Sequence, residues 1–154
     1  MTHEGEVRQG QHARRTGRRG ELVARRWLRR RGWRIVQRNR QVGVDEIDIV
    51  AESPDGRVLA CIEVKTSRSP GDLLDRVTGA KQRRLLRSAR RLATRWPHHL
   101  VRIDVMTIEL VPWRRARVCH LPNAVTASGP GSLRPRAGCG REPRAVVGGR
   151  GWRP

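Results

Sequence analysis

The sequence predicts a single α/β domain, and three features of the chain indicate it. Two segments carry apolar residues at helical spacing. Several other segments alternate apolar and polar residues, as half-buried strands do. The elements follow one another in the order helix, three strands, helix, strand, with a short candidate strand after them. They occupy residues 17–126, which is enough chain to bury a core in one domain.

The first helix is predicted to follow a polar arm. Residues 1–16 are basic and lack apolar periodicity, so we expect a flexible arm there. From Gly20 onward the apolar residues recur on one helix face, with arginines on the rest, and Gly32 is a typical stop signal. The apolar face consists of Leu22, Val23, Trp27 and Leu28.

Three strands are predicted next, over residues 33–39, 46–52 and 57–65. The second and third are separated by Ser-Pro-Asp-Gly at 53–56, a strong turn sequence. Because so short a turn joins them, these two strands should pair as an antiparallel hairpin.

A loop over residues 66–76 and a second helix over 77–96 follow, and Pro97 ends this helix. Strands are expected at 101–110 and 115–121. One face of the second helix is apolar, and the other carries basic residues. The basic face consists of Lys81, Arg83, Arg84, Arg87, Arg90 and Arg91.

The end of the chain has a different composition. Residues 127–154 contain seven Gly, four Pro and six Arg, with Glu142 as the single acid. Such a segment buries little apolar surface, so we expect a disordered basic tail.

The charge balance indicates the class of partner. Lys and Arg number 34 against 14 Asp and Glu, a formal net charge of +20. A field of this size attracts polyanions, among which nucleic acid is the most abundant. No apolar run is long enough to span a bilayer, and no apolar stretch follows the basic N-terminus as in a secretory signal. We therefore expect a cytoplasmic protein that binds nucleic acid and not a membrane.

Two acids and a lysine fall where they could carry chemistry. Asp48 and Glu63 lie in the two strands of the predicted hairpin, and Lys65 points to the same side as Glu63. Two carboxylates suit Mg²⁺, and an ammonium group could stabilise charge on a phosphate. Glu21 would add a third carboxylate if the first helix packs at the hairpin edge. The alternative is a cross-strand ion pair, which contributes about 0.2–1 kcal/mol and is common.

Several stretches together resemble the YraN-like family of uncharacterised proteins. That family is assigned to the restriction-endonuclease-like fold with the PD-(D/E)XK nuclease signature, and is described as related to Holliday-junction resolvases. The resemblance covers about residues 17–126 and implies a mixed central sheet flanked by helices. It rests on GELVARRWLRRRGWRIVQRN, DEIDIV, CIEVKTSR, VTGAKQRRLLRSARRL and VRIDV.

The resemblance also implies roles for the candidate residues. Asp48 matches the motif aspartate, Glu63 and Lys65 match Glu-x-Lys, and Glu21 matches the helix glutamate. On this basis Asp48 and Glu63 would bind Mg²⁺ or Mn²⁺, with the carbonyl of Val64 as a further ligand.

Three other positions bear on the resemblance. Lys81 matches a basic position that the family usually keeps, and Asp104 matches an acid of the fourth strand that we expect to be structural. Asp45 stands where family members usually have Gly, so it either crowds the metal site or faces solvent. For phosphate contacts we single out four residues of the second helix: Lys81, Arg84, Arg87 and Arg91.

The leading hypothesis is a Mg²⁺-dependent endonuclease that acts on DNA, including branched or structured DNA. By analogy with resolvases, which need two active sites, a homodimer is expected. The alternatives are a catalytically inactive protein of the same fold that binds DNA or RNA, and an RNA-associated accessory protein.

Overall fold

The computed structural model describes residues 3–67, 77–111 and 116–126 of the chain, with side chains from residue 13 onward. The tail predicted for 127–154 and most of the loop predicted for 66–76 lie outside the described residues. The elements are α1 (His3–Arg30), β1 (Arg34–Val42), β2 (Asp45–Glu52), β3 (Val58–Ser67), α2 (Gly79–Arg95), β4 (Leu100–Glu109) and β5 (Arg117–Val125).

The five strands form one mixed sheet in the order β1-β2-β3-β4-β5. Neighbours pair antiparallel except for β3 and β4, which are parallel. A parallel pair needs a crossover connection, and α2 provides it. The prediction of an α/β fold with a mixed sheet flanked by helices is therefore confirmed for the described residues.

Each face of the sheet carries one helix and one apolar cluster. Leu28 of α1 packs in a cluster with Ile49 and Ile62. Leu85 of α2 packs in a second cluster with Val50. Ile49 and Val50 are consecutive in β2, so alternation along the strand supplies one residue to each cluster. No helix among the described residues has both the length and the apolarity to cross a membrane.

The predicted hairpin of β2 and β3 is present. The Gly56 N–H donates to the Ser53 carbonyl over 2.9 Å, and Gly56 has a φ of +70°, which favours glycine at this turn position. The turn sets a register in which Ile49 lies opposite Ile62.

The prediction for the N-terminal segment is wrong over most of its length. The helix α1 begins at His3, where a flexible arm was expected over residues 1–16 and a helix only from Gly20. No proline interrupts this stretch, and Arg, Gln, Glu and Ala are good helix formers. Apolar periodicity, which was the signal used for the prediction, begins only where α1 reaches the sheet.

Two strands run further than predicted. β1 continues to Val42, and β3 continues to Ser67, into the segment predicted as a loop. The parallel pairing of β3 with β4 extends to Ser67 opposite Glu109 and accounts for the longer strand.

Gly20 allows α1 to approach β3, and this contact can be tested. An added Cβ would lie 1.8 Å from Thr66 Oγ1 and 2.8 Å from Thr66 Cβ, so rotation of the threonine side chain cannot relieve the overlap. We expect Gly20→Ala to lower the free energy of unfolding by about 1–3 kcal/mol in urea denaturation. Gly17→Ala is the matched control, since its Cβ would meet no atom of the described residues within 4 Å other than those of its own helix backbone and chain neighbours. It should raise stability by roughly 0.5–1 kcal/mol, and equal effects of the two changes would contradict the contact.

Candidate functional site

The candidate site begins where the backbone pairing of β2 with β3 ends. One step beyond the last pair, Ile49 and Ile62, Asp48 and Glu63 occupy opposite positions. The Val64 N–H donates to Asp48 Oδ2 over 2.7 Å. The Asp48 carboxylate thus accepts a hydrogen bond from the backbone of β3. This bond holds the carboxylate beside Glu63.

Two lysines hold the Glu63 carboxylate. Lys65 Nζ lies 2.8 Å from Oε1 and Lys81 Nζ lies 3.0 Å from Oε2, while the Glu63 side chain is only 3% exposed. Lys65 comes from the same strand, whereas Lys81 comes from the first turn of α2. Thr78 caps that turn, because its side chain accepts a hydrogen bond from the Lys81 N–H. This bond fixes the position of the Lys81 backbone.

One oxygen of the Glu63 carboxylate has an ion-pair partner but no aligned hydrogen-bond donor. Oε2 is buried and lies within ion-pair distance of Lys81, but no donor is aligned to form a hydrogen bond with it. Buried carboxylate oxygens normally have aligned donors. A cation bound at this oxygen would compete with the Lys81 ammonium.

A cleft of about 520 Å³ brings the four predicted catalytic residues together. Glu21 reaches it from α1, Asp48 from β2, and Glu63 and Lys65 from β3. Val64, the predicted carbonyl ligand, lines the same cleft and engages Asp48 through its N–H. Lys81, for which a phosphate contact is predicted, lies against Glu63.

The carboxylates of the cleft repel one another. Burial raises the pKa of Asp48 to about 7, and the charge of Glu63 adds to the rise, while the Val64 N–H opposes it. Burial also raises the pKa of Glu21, against the field of Arg25. Ionisation of Asp48 and Glu21 is therefore unfavourable in the cleft, and a bound cation would favour it.

The donor set fits Mg²⁺ or Mn²⁺ rather than a metal enclosed by protein ligands. Within the described ranges, no three His, Cys, Asp or Glu side chains converge closely enough to hold a metal by themselves. Mg²⁺ commonly uses one or two carboxylates and completes its shell with water and substrate phosphate. Asp48 and Glu63 supply two such carboxylates, and a metal at Glu63 would compete with the Lys81 ammonium at Oε2.

The arginines of α2 that were predicted to contact phosphate also hold the tip of the β1–β2 hairpin. Arg84 Nε lies 3.8 Å and Arg87 Nη2 lies 3.3 Å from the Asp45 carboxylate, and Arg91 donates to the Val42 carbonyl over 3.3 Å. Asp45 neither crowds the metal site nor faces solvent, since it is buried against these arginines. The side chains of Arg84 and Arg87 remain 62% and 52% exposed, so both can still contact a ligand.

Asp104 lies outside the cleft, in a saturated network. Its carboxylate is fully buried and accepts from Arg102 Nε at 2.9 Å, from Arg102 Nη2 at 3.1 Å and from the Asn123 N–H at 2.8 Å. His120 Nε2 lies 2.8 Å from Oδ2. These contacts support the structural role expected for Asp104. His120 could not be assigned to it from sequence, because the two meet only through the pairing of β4 with β5.

Comparison with known proteins gives the family. Residues 20–108 match Uncharacterised protein family UPF0102, a range that includes every acid and lysine of the cleft. UPF0102 proteins of Rhizorhabdus wittichii and Caulobacter vibrioides are each 40% identical to the chain, over 72% and 75% of its length and 91% and 90% of their own. A UPF0102 protein of Treponema pallidum is 38% identical over 68% of this chain and 87% of its own. The chain belongs to the UPF0102 family, as the YraN-like resemblance indicated.

The raised pKa of Asp48 predicts how stability depends on pH without divalent metal. The folded protein holds this proton up to about pH 7, whereas an ordinary aspartate loses it near 3.8. The favourable contribution of the protonated form is thus complete below about pH 4 and is lost as pH rises through about 7.

Asp48→Asn keeps an acceptor for the Val64 N–H and cannot ionise. The free energy of unfolding of Asp48→Asn, minus that of the wild type, should therefore increase from pH 4 to pH 7 and then level off. Urea unfolding of both proteins with a chelator present measures this difference. Parallel pH profiles of the two proteins would contradict the assigned burial of Asp48.

The Asp104 network gives a stability prediction that involves no catalysis. Asp104→Ala leaves Arg102 and His120 without their buried partner, so we expect it to cost about 3–5 kcal/mol in urea unfolding. Glu109→Gln is the control, because Glu109 pairs with Arg117, whose side chain is 72% exposed. This surface change should cost no more than about 1 kcal/mol. A comparably small effect at Asp104 would contradict its structural role.

Proposed function

We propose that this UPF0102 protein is a metal-dependent endonuclease of the restriction-endonuclease-like class, which hydrolyses phosphodiester bonds in DNA, including branched or structured DNA. The observation that carries the proposal is the convergence of Asp48 with the Glu63-x-Lys65 pair in one cleft. This arrangement resembles the PD-(D/E)XK signature, with Ile47 in place of the motif proline, and so supports the proposal.

The architecture supports the assignment to this class. A mixed sheet carries one helix on each face, and the acidic motif lies on an antiparallel pair, β2 and β3. α2 crosses over to the parallel strand β4. A fold does not determine a function, however, so the proposal depends on the cleft.

Each residue of the cleft has a role in this proposal. Asp48 and Glu63 would hold Mg²⁺ or Mn²⁺, with the Val64 carbonyl as a further candidate ligand. The bound ion supplies charge neutralisation at the phosphate and a water of lowered pKa. Lys65 orients the attacking water and stabilises the developing charge, and Glu21 supports the site from α1.

The reaction is hydrolysis of an ester. A water oxygen forms a bond to phosphorus, one phosphorus–oxygen ester bond breaks, and the departing oxygen takes up a proton. The position of Lys65 supports this role, since its ammonium is 2.8 Å from Glu63 and its side chain lines the cleft. A substrate phosphate entering the cleft would meet that ammonium directly.

The charge of the chain supports DNA as the substrate. A formal charge of +20 steers a polyanion toward the protein and favours binding by release of counterions. The exposed guanidinium groups of Arg84 and Arg87 on α2 would contact backbone phosphates, which positions a strand without reading its bases. For branched DNA we propose a homodimer, which would place two clefts on one substrate.

One observation favours the alternative of a catalytically inactive protein that binds DNA or RNA. Glu63 already has an ammonium group at each oxygen, so its charge is compensated without a metal. If this pairing persists in solution, the protein would bind nucleic acid through its charge alone. Such binding would depend on salt and be indifferent to Mg²⁺.

The two functions are separated by cleavage assays on linear, nicked and four-way DNA with Mg²⁺ or Mn²⁺. We expect the wild type to cleave at least one of these substrates. Asp48→Ala should abolish cleavage, and Lys65→Ala should slow it by at least about 10²-fold. Both variants should still bind DNA in fluorescence anisotropy.

Asp55→Ala is the control, since Asp55 is an exposed acid in the turn between β2 and β3 and lies outside the cleft. It should cleave as the wild type does. A wild type that leaves all three substrates intact with both metals, and binds them equally with and without metal, would establish the inactive alternative.

A further inference from the structure

A second cleft lies against α2, away from the candidate active site. Its volume is about 360 Å³, and it is formed by the end of β1, the tip of the β1–β2 hairpin and the last turns of α2. Three arginines line it, Arg40 from β1 and Arg91 and Arg95 from α2. None of its lining residues lines the cleft that contains Asp48.

The lining of this cleft is basic and contains no acid among the described residues. Neither Arg40 nor Arg95 forms an ion pair with a residue that the structure describes. This contrasts with Arg84 and Arg87 on the same helix, which both pair with Asp45. Three guanidinium groups around one concave surface form a site for an anion.

Arg40 provides a second, independent indication. Its Nε is buried and has no hydrogen-bond partner. A buried charged donor without an acceptor is unfavourable, and native proteins rarely keep one unless a ligand or water completes it. Arg40 lines the cleft, so an acceptor placed there could satisfy this group.

The backbone of the hairpin tip is shaped around Arg91. Gly43 has a φ of +67°, and a Cβ at this position would lie 2.1 Å from Arg91 Nη1. The same nitrogen donates to the Val42 carbonyl over 3.3 Å. A glycine at the tip thus lets the guanidinium lie against the backbone and holds it at the edge of the cleft.

We propose that Arg40, Arg91 and Arg95 form a binding site for a backbone phosphate of DNA, remote from the phosphate that is hydrolysed. The inference deepens the proposed nuclease function and rests on it for the identity of the ligand. Arg91 and Arg95 follow Lys81 by 10 and 14 residues along α2. These separations correspond to about 15–21 Å. A DNA strand that follows α2 advances about 3.4 Å per nucleotide. The arginine cleft would therefore engage this strand about four to six nucleotides from the phosphate bound near Glu63.

The test measures binding, so that it does not depend on catalysis. The full chain carrying Asp48→Asn is titrated with a labelled 20-base-pair DNA duplex in a chelator, and fluorescence anisotropy is followed at several salt concentrations. Arg95→Ala is the principal variant, because Arg95 is exposed and its loss does not threaten folding. Arg40→Lys is the second, because it keeps the charge and removes the buried Nε donor. Arg30→Ala, an exposed arginine at the end of α1, is the matched control.

We expect Arg95→Ala to weaken DNA binding by about tenfold relative to Arg30→Ala and to reduce the slope of log K against log salt by about 0.9. Arg40→Lys should also weaken binding while leaving the slope nearly unchanged. If both variants match Arg30→Ala, the arginine cleft is not a phosphate site, even where the wild type cleaves DNA. A loss seen with a 20-base-pair RNA duplex but not with DNA would overturn the assignment to DNA. Conversely, if Arg95→Ala weakens DNA binding but the wild type cleaves no DNA, the phosphate site is upheld and the nuclease function is rejected.

Discussion

The pairing of β2 with β3 is the constraint on which the candidate site depends. The turn at residues 53–56 sets the register, and that register places Asp48 opposite Glu63. A slip of one residue would move Asp48 to the other face of the sheet and away from Glu63. Such a slip is resisted because Ile49 is fully buried in the cluster beneath α1, and the slip would turn it away from Ile62 and the rest of that cluster. The core thus enforces the position of the acids, although neither acid belongs to it.

The distribution of acids distinguishes the cleft from the rest of the protein. Arginines are abundant, and the other acids that the structure buries have them as partners: Asp45 pairs with Arg84 and Arg87, and Asp104 with Arg102. Among the described residues, Asp48 and Glu21 form no ion pair, although a chain of charge +20 offers many cations. Leaving two half-buried carboxylates unpaired costs stability. The cost is understandable if these groups serve a ligand rather than the fold.

The sequence was sufficient for the elements that depend on local pattern, and insufficient where distant segments meet. Alternation and the Ser-Pro-Asp-Gly turn predicted the hairpin and hence the proximity of Asp48 and Glu63. The start of α1 was missed because its first turns carry no apolar periodicity. The contact of Lys81 with Glu63 was missed because it forms only when α2 packs on the sheet with its first turn beside β3. Asp104 was expected to be structural by resemblance alone, and its partner His120 became visible only with the pairing of β4 and β5.

The contact between Lys81 and Glu63 links the two clefts through a single helix. The N-terminal turn of α2 places an ammonium on the acidic site, while its last turns line the arginine cleft. A helix is stiff over this length, so a strand bound at both ends would be aligned along α2 rather than held at one point. Lys81 also compensates the charge of Glu63 in the protein as described. Under the proposed function, a divalent ion bound by Glu63 would compete with Lys81, and the released ammonium would then be available to a phosphate.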